Sequence, residues 1–254
     1  MQADERQRTI LALARDAGRI EVTAVAEKLH VAAETVRRDL KVLEGHGLLR
    51  RTHGGAYPVE SAGFESSLAR RAQTRVTEKR RIAAAAVGWL TDAETVFVDE
   101  GFTPQLVAEE LAGLNRPMTA VTASLPAAMA MAASPTLNVV MVGGRVRGRT
   151  LATVDHWAVR MLSDLVIDVA FLGANGVSRD RGMTTPDPAV GAVKSAAVRA
   201  ARRCIFVGTH SKFNAASFYR FAEISDFDAL VTDTGLSANE AHRYGVLGPQ
   251  VVRV

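Results

Sequence analysis

The sequence predicts two domains of different class: a small α+β unit at the N-terminal end and a larger α/β unit built on a mostly parallel sheet. Three observations predict this. Between Val22 and Tyr57, two short helical periodicities are followed by a glycine-bounded basic hairpin. From Glu78 onward, continuous apolar runs of strand length alternate with helical stretches, the pattern of parallel strands covered on both faces. Charge is also uneven, with 16 Lys and Arg against 11 Asp and Glu in residues 1–82, and 15 against 16 in residues 83–254. The boundaries that follow are residues 1–57 for the first domain, 58–75 for a loop-rich connection marked by Pro58, Ser61, Gly63, Ser66 and Ser67, and 76–254 for the second.

In the first domain, Asp4–Ala17 reads as a helix with Ile10, Leu13, Ala14 and Ala17 inward and Gly18 ending it; Arg6 and Arg8 are surface residues, solvated or touching phosphate. Val22, Val25, Ala26 and Leu29 then recur at i, i+3, i+4 and i+7, one apolar helical face. His30–Ala32 make a turn, and a further helix runs from about Ala33 to Glu44 with Val36, Leu40 and Leu43 inward. Glu34, Arg37, Arg38 and Lys41 lie opposite, with Thr35 near the start; Gly45 and Gly47 can end the helix. Leu48–His53 reads as a strand and Gly54-Gly55 as a turn, displaying Arg50, Arg51 and His53. A solvated basic face on a three-helix domain would share the periodicity, but the basic hairpin makes this a winged helix-turn-helix. An apolar back with a cationic front suits the major groove of double-stranded DNA, where phosphates attract charge and guanine edges accept from arginine. Thr35, Arg37 and Arg38 are therefore expected at base edges, and Lys41 with Arg50, Arg51 and His53 of the wing at phosphates.

In the second domain, helices are expected over Glu78–Leu90, from Pro104 to about Leu114, Pro126–Ala133, Asp155–Leu165, Ala189–Arg203 and Ser237–Tyr244. Strands are expected over Thr95–Asp99, Met118–Thr122, Leu137–Val142, Val166–Leu172, Ile205–Gly208, Ala229–Thr232 and Val251–Val254. Ligands of open α/β sheets bind beyond the carboxyl ends of the strands. Polar and glycine residues gather there: Asp99-Glu100-Gly101-Phe102-Thr103, Gly143-Gly144, Gly173–Gly176 and Thr209-His210-Ser211-Lys212. A glycine after a strand is commonly only a turn. Four such loops on one sheet point to a pocket, and the helix starting at Pro104 would aim its N-terminus at an anion there.

ERQRTILALARDAGRI at Glu5–Ile20, TVRRDL inside Val31–Ala56 and GLLRRTHGGA downstream resemble the DeoR-type bacterial transcriptional regulators, as do FVDEGFT, VVMVGGRV, FLGANGVSRDRGMTT, AVK and GTHSKFN in the second domain. The resemblance implies an effector domain sharing the fold of ribose-5-phosphate isomerase and acyl-CoA transferases, and a phosphorylated sugar or related metabolite as effector. It implies that Asp99, Gly101 and Thr103 line the first loop, that Gly143 and Gly144 belong to the site, that Asn175 hydrogen-bonds from the third loop, and that Lys194 and Lys212 bring charge to phosphate or hydroxyl groups. The chain departs from the family pattern at several places. Ala32 and Ala33 stand where a serine usually caps the recognition helix, at about 1 kcal/mol. Phe102 replaces Ser or Thr, Ala123 replaces Asn, Thr209 replaces Asp, and Asp155 stands where Gly is common.

Composition narrows the function classes. With 48% hydrophobic and 23% charged residues the chain reads as an ordinary globular protein. It shows neither an apolar run of membrane-spanning length nor a signal segment, so a cytoplasmic protein is expected. The single Cys204 lies in an apolar strand and excludes an internal disulfide or cysteine zinc cluster; the six histidines are not paired at ligand spacing, so no metal or cofactor is expected. Three readings remain: a metabolite-controlled regulator, with repression of a carbohydrate operon as the expected output; a sugar-phosphate isomerase with a DNA-binding head; and an architectural DNA binder. Isomerisation needs a positioned carboxylate base. The resembling isomerase has Glu immediately before the lysine matching Lys194, where this chain has Val193; Asp99, Asp168 and Asp187 remain but fall outside that pattern. A non-enzymatic regulator is therefore expected, acting as a homo-oligomer, dimer or tetramer, on paired half-sites.

Overall fold

The computed structural model describes residues 3–17, 20–46, 48–52, 54–58 and 68–254. Gly18, Gly47, His53 and the connection residues 59–67, Ser61, Gly63, Ser66 and Ser67 among them, lie outside the described residues. The chain divides into two compact units, Met1–Ser61 and Ala62–Val254.

The first unit runs α1 (Ala3–Ala17), β1 (Ile20–Glu21), α2 (Val22–Leu29), α3 (Ala33–Gly45), β2 (Leu49–Thr52) and β3 (Gly55–Pro58), with an antiparallel sheet in the order β1-β3-β2. The apolar periodicities form one core: Ile10, Ala14, Val25, Val36, Leu40, Leu43, Leu49 and Ala56 are buried together. His30 takes the left-handed conformation, φ 53°, that closes α2 and turns the chain into α3. Ala32 precedes α3 with no side-chain cap, as its identity predicts. Two features went unread. The two-residue strand β1 pairs with β3 at Ile20↔Ala56. And Arg6 is not a solvated or phosphate-seeking residue: its Nε donates to Asp39 Oδ2 at 2.5 Å, and Gln7 Nε2 donates to Oδ1 at 3.1 Å. Asp39 is buried on α3, so this pair ties α1 to α3 and neutralises a carboxylate that would otherwise be costly to bury.

The second unit runs α4 (Leu68–Arg71), α5 (Val76–Ala86), β4 (Thr95–Val98), α6 (Phe102–Gly113), β5 (Met118–Thr122), α7 (Leu125–Ala132), β6 (Leu137–Met141), β7 (Arg145–Arg147), β8 (Ala152–Val154), α8 (His156–Ser163), β9 (Ile167–Leu172), β10 (Gly176–Ser178), β11 (Gly182–Thr185), α9 (Pro188–Ala200), β12 (Ala201–Val207), β13 (Tyr219–Ala222), β14 (Ala229–Thr232), α10 (Ala238–Gly245) and β15 (Gln250–Arg253). Seven strands make one parallel sheet in the order β15-β14-β12-β9-β4-β5-β6. Both faces are covered because the strands are apolar on both faces. Val96, Val98, Val169 and Phe171 pack with Ile82, Leu106 and Leu111 of α5 and α6. Phe97, Ala170, Leu172 and Phe206 face the other way, with Leu162, Val193 and Tyr244 of α8, α9 and α10.

Several boundaries differ from the sequence expectation. The helix expected to run through Arg203 stops at Ala200, and Ala201 and Arg203 pair with Ile167 and Val169 instead; sheet pairing overrides a favourable helical composition. The helix expected over Glu78–Leu90 is α5, from Val76, followed by a 3-10 turn at Val87–Trp89, and α6 starts at Phe102, two residues before Pro104. The short antiparallel pieces β7-β8 and β10-β11-β13 fall largely in stretches to which the sequence reading assigns no element. Asp155 has φ 84° ahead of α8, which accounts for the glycine usual there; its carboxylate accepts from Arg145 Nε at 2.9 Å.

Candidate functional sites

The first candidate site is the face of α3 turned from the core. Arg37, Arg38 and Lys41 are exposed there, and Thr35 is half-buried at its start. Arg37 donates to Glu34 Oε2 at 3.0 Å in an exposed pair, an arrangement that releases the guanidinium cheaply to a better acceptor. Arg51 of β2 donates to Glu44 Oε2 at 2.6 Å, and its backbone N–H to Oε1 at 2.9 Å, so the wing strand is tied to the end of α3. Arg50 lies on β2 opposite Tyr57, and His53 is outside the described residues.

The second candidate site lies where β4 and β9 end. Lys194 of α9 is fully buried, and its ammonium bonds Asp99, which directly follows β4, and the Gly173 carbonyl at 3.1 Å. Asp99 Oδ2 also accepts from the Gly173 N–H at 2.9 Å. Glu100, equally buried, stands 3.5 Å from Lys194 through Oε1 and 3.4 Å from Arg71 Nη1 through Oε2. Burial lifts the Asp99 carboxyl above its ordinary range against the pull of Lys194. Burial acts on Glu100 the same way, but Lys194, Arg71 and Arg147 together bring it below its ordinary value. Burial disfavours the Lys194 cation, yet Asp99 and Glu100 outweigh it and hold its pKa above the usual 10.5. Sequence reasoning paired these residues with a ligand; the structure pairs them first with one another.

Around this buried centre stands a ring of further cations. Lys79 of α5 donates to the Arg71 carbonyl at 2.6 Å and lies 5.4 Å from the centroid of the Phe102 ring. Its pKa falls to about 8, through burial first and then through Lys212, Arg71 and Arg75. Lys212, on the 3-10 turn His210–Lys212 after β12, is near enough to disfavour the Lys79 cation. Arg147 pairs with Asp187 at 2.9 Å. Gly101 sits at the head of α6 with φ 117°, a conformation that suits only glycine, and no side chain caps that helix end. The first amides of α6 and its dipole therefore point into a cation-rich space. Thr103 is buried in the first turn of α6.

The remaining expected residues have structural partners. Asn175 is held against β11, its N–H on the Thr184 carbonyl at 2.9 Å and its Oδ1 accepting from Thr185. Gly143 donates to Met161 Sδ, and Gly144 has φ 136° with the Val154 carbonyl 2.3 Å from where a Cβ would sit, so Gly144 serves the close approach of β8. His210, considered as a pocket residue, binds Asp233 through Nδ1 at 2.5 Å and through its N–H at 2.8 Å. Asp168 accepts from Glu94 and Thr95 at the opposite end of the sheet, and Asp187 caps α9 through Ala189 and Val190. Arg71, Lys79, Glu100 and Arg147 were missed as site residues. Glu100 had a signal, since it follows Asp99 at a strand end; Lys79 had none, being one lysine in a charged helix. Among the described residues, no group of His, Cys, Asp or Glu is placed to hold a metal ion, and no helix is long and apolar enough to cross a membrane.

Comparison with known proteins matches residues 6–62 to the DeoR-like helix-turn-helix domain and residues 74–234 to the DeoR C terminal sensor domain. The HTH-type transcriptional regulator GlpR of Haloferax volcanii is 33% identical over 248 residues, covering 98% of this chain and 96% of that one. The glycerol-3-phosphate regulon repressor of Haemophilus influenzae is 30% identical, covering 91% of this chain and 90% of its own. Among solved structures, ribose 5 phosphate isomerase A from Neisseria gonorrhoeae aligns with a TM-score of 0.41 at 18% identity, over 54% of this chain and 53% of that one.

Proposed function

This chain belongs to the DeoR family of DNA-binding transcriptional regulators, and from that premise we propose that it represses a carbohydrate or related metabolic operon and is controlled by a phosphorylated, sugar-like effector bound beyond the ends of β4 and β9. The observation that carries the effector is the surplus of positive charge there. Among the described residues, Arg71, Lys79, Arg147, Lys194 and Lys212 outnumber Asp99, Glu100 and Asp187, and the Lys79 pKa is lowered by burial first and then by its cationic neighbours. Cations crowded over an uncapped helix N-terminus are stabilised by an anion. The repressors and regulators among the relatives, one of them named for glycerol 3-phosphate, support the same reading.

The engagement of the carboxylates supports binding rather than turnover. Asp99 is engaged by Lys194 and Gly173, Asp168 pins β4 to β9, and Asp187 caps α9. Each of the three thus has a structural partner, which argues against its serving as the base that isomerisation requires. On the DNA side, Thr35, Arg37, Arg38, Lys41, Arg50, Arg51 and His53 form the proposed contact set, acting in a cytoplasmic homo-oligomer that reads paired half-sites.

Two results are expected. In a thermal-shift series on the full chain with glycerol 3-phosphate, ribose 5-phosphate and their unphosphorylated parents, a phosphorylated compound at 100 times its dissociation constant adds about 2.7 kcal/mol and raises the midpoint. A response to the parent polyols alone would remove the phosphate from the proposal. Arg38→Ala, tested by fluorescence anisotropy on a duplex that the wild-type protein selects from a random library, loses about 1–3 kcal/mol of discrimination between the selected and a scrambled site. Equal loss on both duplexes would make Arg38 a phosphate contact only.

A further inference from the structure

We propose that β6 and the outer side of α8 form a two-fold interface between two copies of this chain, the β6 strands pairing antiparallel and Trp157 and Met161 packing across them. The proposal deepens the reading of the chain as a homo-oligomer and rests on it. β6 is one edge of the seven-stranded sheet and, among the described residues, pairs only with β5. The Val142 N–H donates to the Thr122 carbonyl, and the Thr136 carbonyl accepts from the Met118 N–H. Even-numbered residues of this stretch therefore turn their backbone groups to β5. Backbone groups alternate in direction along a strand, so Leu137, Val139 and Met141 turn theirs outward. Sheet edges are ordinarily blunted by charge, proline, a bulge or a covering element. The opposite edge, β15, carries Arg253. β6, with the sequence LNVVM, has neither a charge nor a proline, and its last three residues are only half-buried.

This edge runs into an apolar ridge. α8 buries Ala158 and Leu162 and leaves Trp157 64% and Met161 38% exposed, one turn apart. Met161 Sδ accepts from the Gly143 N–H at 3.2 Å, just past the end of β6, so ridge and edge make one surface. The charges beside it come as ion pairs, Arg145 with Asp155 at 2.9 Å and Arg160 with Asp164 at 3.5 Å. A rim balanced in this way selects neither a polyanion nor a basic segment. It does complement a second copy, which presents both signs in return. The backbone favours the same occupant. A two-fold axis at Val139 sets Val139 against its counterpart and Leu137 against the copy's Met141, each pair exchanging both of its hydrogen bonds. A stable interface buries about 1,200–2,000 Å² in all, and a surface that meets itself counts twice toward that area. The product is one sheet continuous through two copies, with an α8 from each packed beside the join.

Analytical ultracentrifugation of the full chain over a dilution series tests this. Wild type is expected as an even-numbered oligomer. Val139→Pro removes an outward N–H and none that β5 uses, a place where an edge strand tolerates proline; it is expected to halve the mass at concentrations where wild type is assembled. Trp157→Glu is expected to weaken association by about thirtyfold or more, the scale of losing a buried tryptophan anchor. Val246→Glu, at an apolar residue 72% exposed at the end of α10, which packs on β15 at the opposite edge, is expected to leave assembly unchanged. Wild-type assembly in both folded Val139→Pro and folded Trp157→Glu overturns the interface and leaves the homo-oligomer reading standing; a monomeric wild type overturns both. Loss in Trp157→Glu without loss in folded Val139→Pro overturns the strand pairing, and equal loss in Val246→Glu overturns the assignment to this face. Circular-dichroism melting establishes which variants are folded. If Val139→Pro melts early, Trp157→Glu, which alters an exposed side chain, decides the interface.

Discussion

Lys194→Met is expected to destabilise the sensor unit by about 3–5 kcal/mol in urea unfolding, the usual cost of removing one partner from a buried ion pair. Methionine fills the volume, so the loss is electrostatic: Asp99 and Glu100 are left buried, with their central cation gone. The pH dependence identifies the cause. In the wild type, Lys194 has a raised pKa, so its contribution is complete below 10.5 and disappears as pH rises through the folded value. Glu100 has a lowered pKa, so its contribution is present above 4.5 and disappears as pH falls through the folded value. Without Lys194, protonating the two carboxyls relieves the folded state, and the deficit should shrink as pH falls from 7 toward 4.5. A deficit unchanged over that range would mean that packing, not charge, is what the lysine supplies.

Leu40→Ala is expected to cost about 2–5 kcal/mol, all of it in the first unit. Leu40 is buried on α3 among Ile10, Val36, Leu43 and Leu49. A unit of this size holds roughly 5 kcal/mol in total, and α3 already lacks a side-chain cap. The variant should therefore lose DNA binding through unfolding of that unit, while the melting of the sensor stays near its wild-type midpoint. Calorimetry reads both at once. Loss of DNA binding with an unchanged low-temperature transition would mean that Leu40 acts on the recognition surface rather than on the fold.

The parts legible in the sequence are those with a repeat. Val22 to Leu29 and Val36 to Leu43 announce helices because an apolar face needs a period, and the strands of the large sheet announce themselves because both their faces must be apolar. What has no period stayed hidden. Two residues, Ile20 and Glu21, cannot show alternation, yet they complete the sheet of the first unit. β7-β8 and β10-β11-β13 lie outside the main sheet, and each has only three or four residues. Ala201 and Arg203 favour helix locally and became strand because β9 lies alongside. At the site, Asp99, Gly101 and Lys194 were legible from their places on strand end, turn and motif. Their mutual pairing was not, because it joins residues 95 positions apart. Lys79 and Arg71 were unreadable for the same reason: their meaning comes from the elements they fold against.

The order of strands in the large sheet also sets an order in time. β4 lies between β5, the next strand of the chain, and β9, whose Asp168 bonds Thr95 across 73 residues of sequence. As the polypeptide leaves the ribosome, the first unit is whole once β3 has emerged, whereas the middle of the sensor must wait for β9 and its far edge for β15. Every described element of the DNA-binding unit is therefore synthesised before the first strand of the sensor sheet. The larger unit has no such early completion, because its sheet runs from β4 to β15, which is the last strand of the chain.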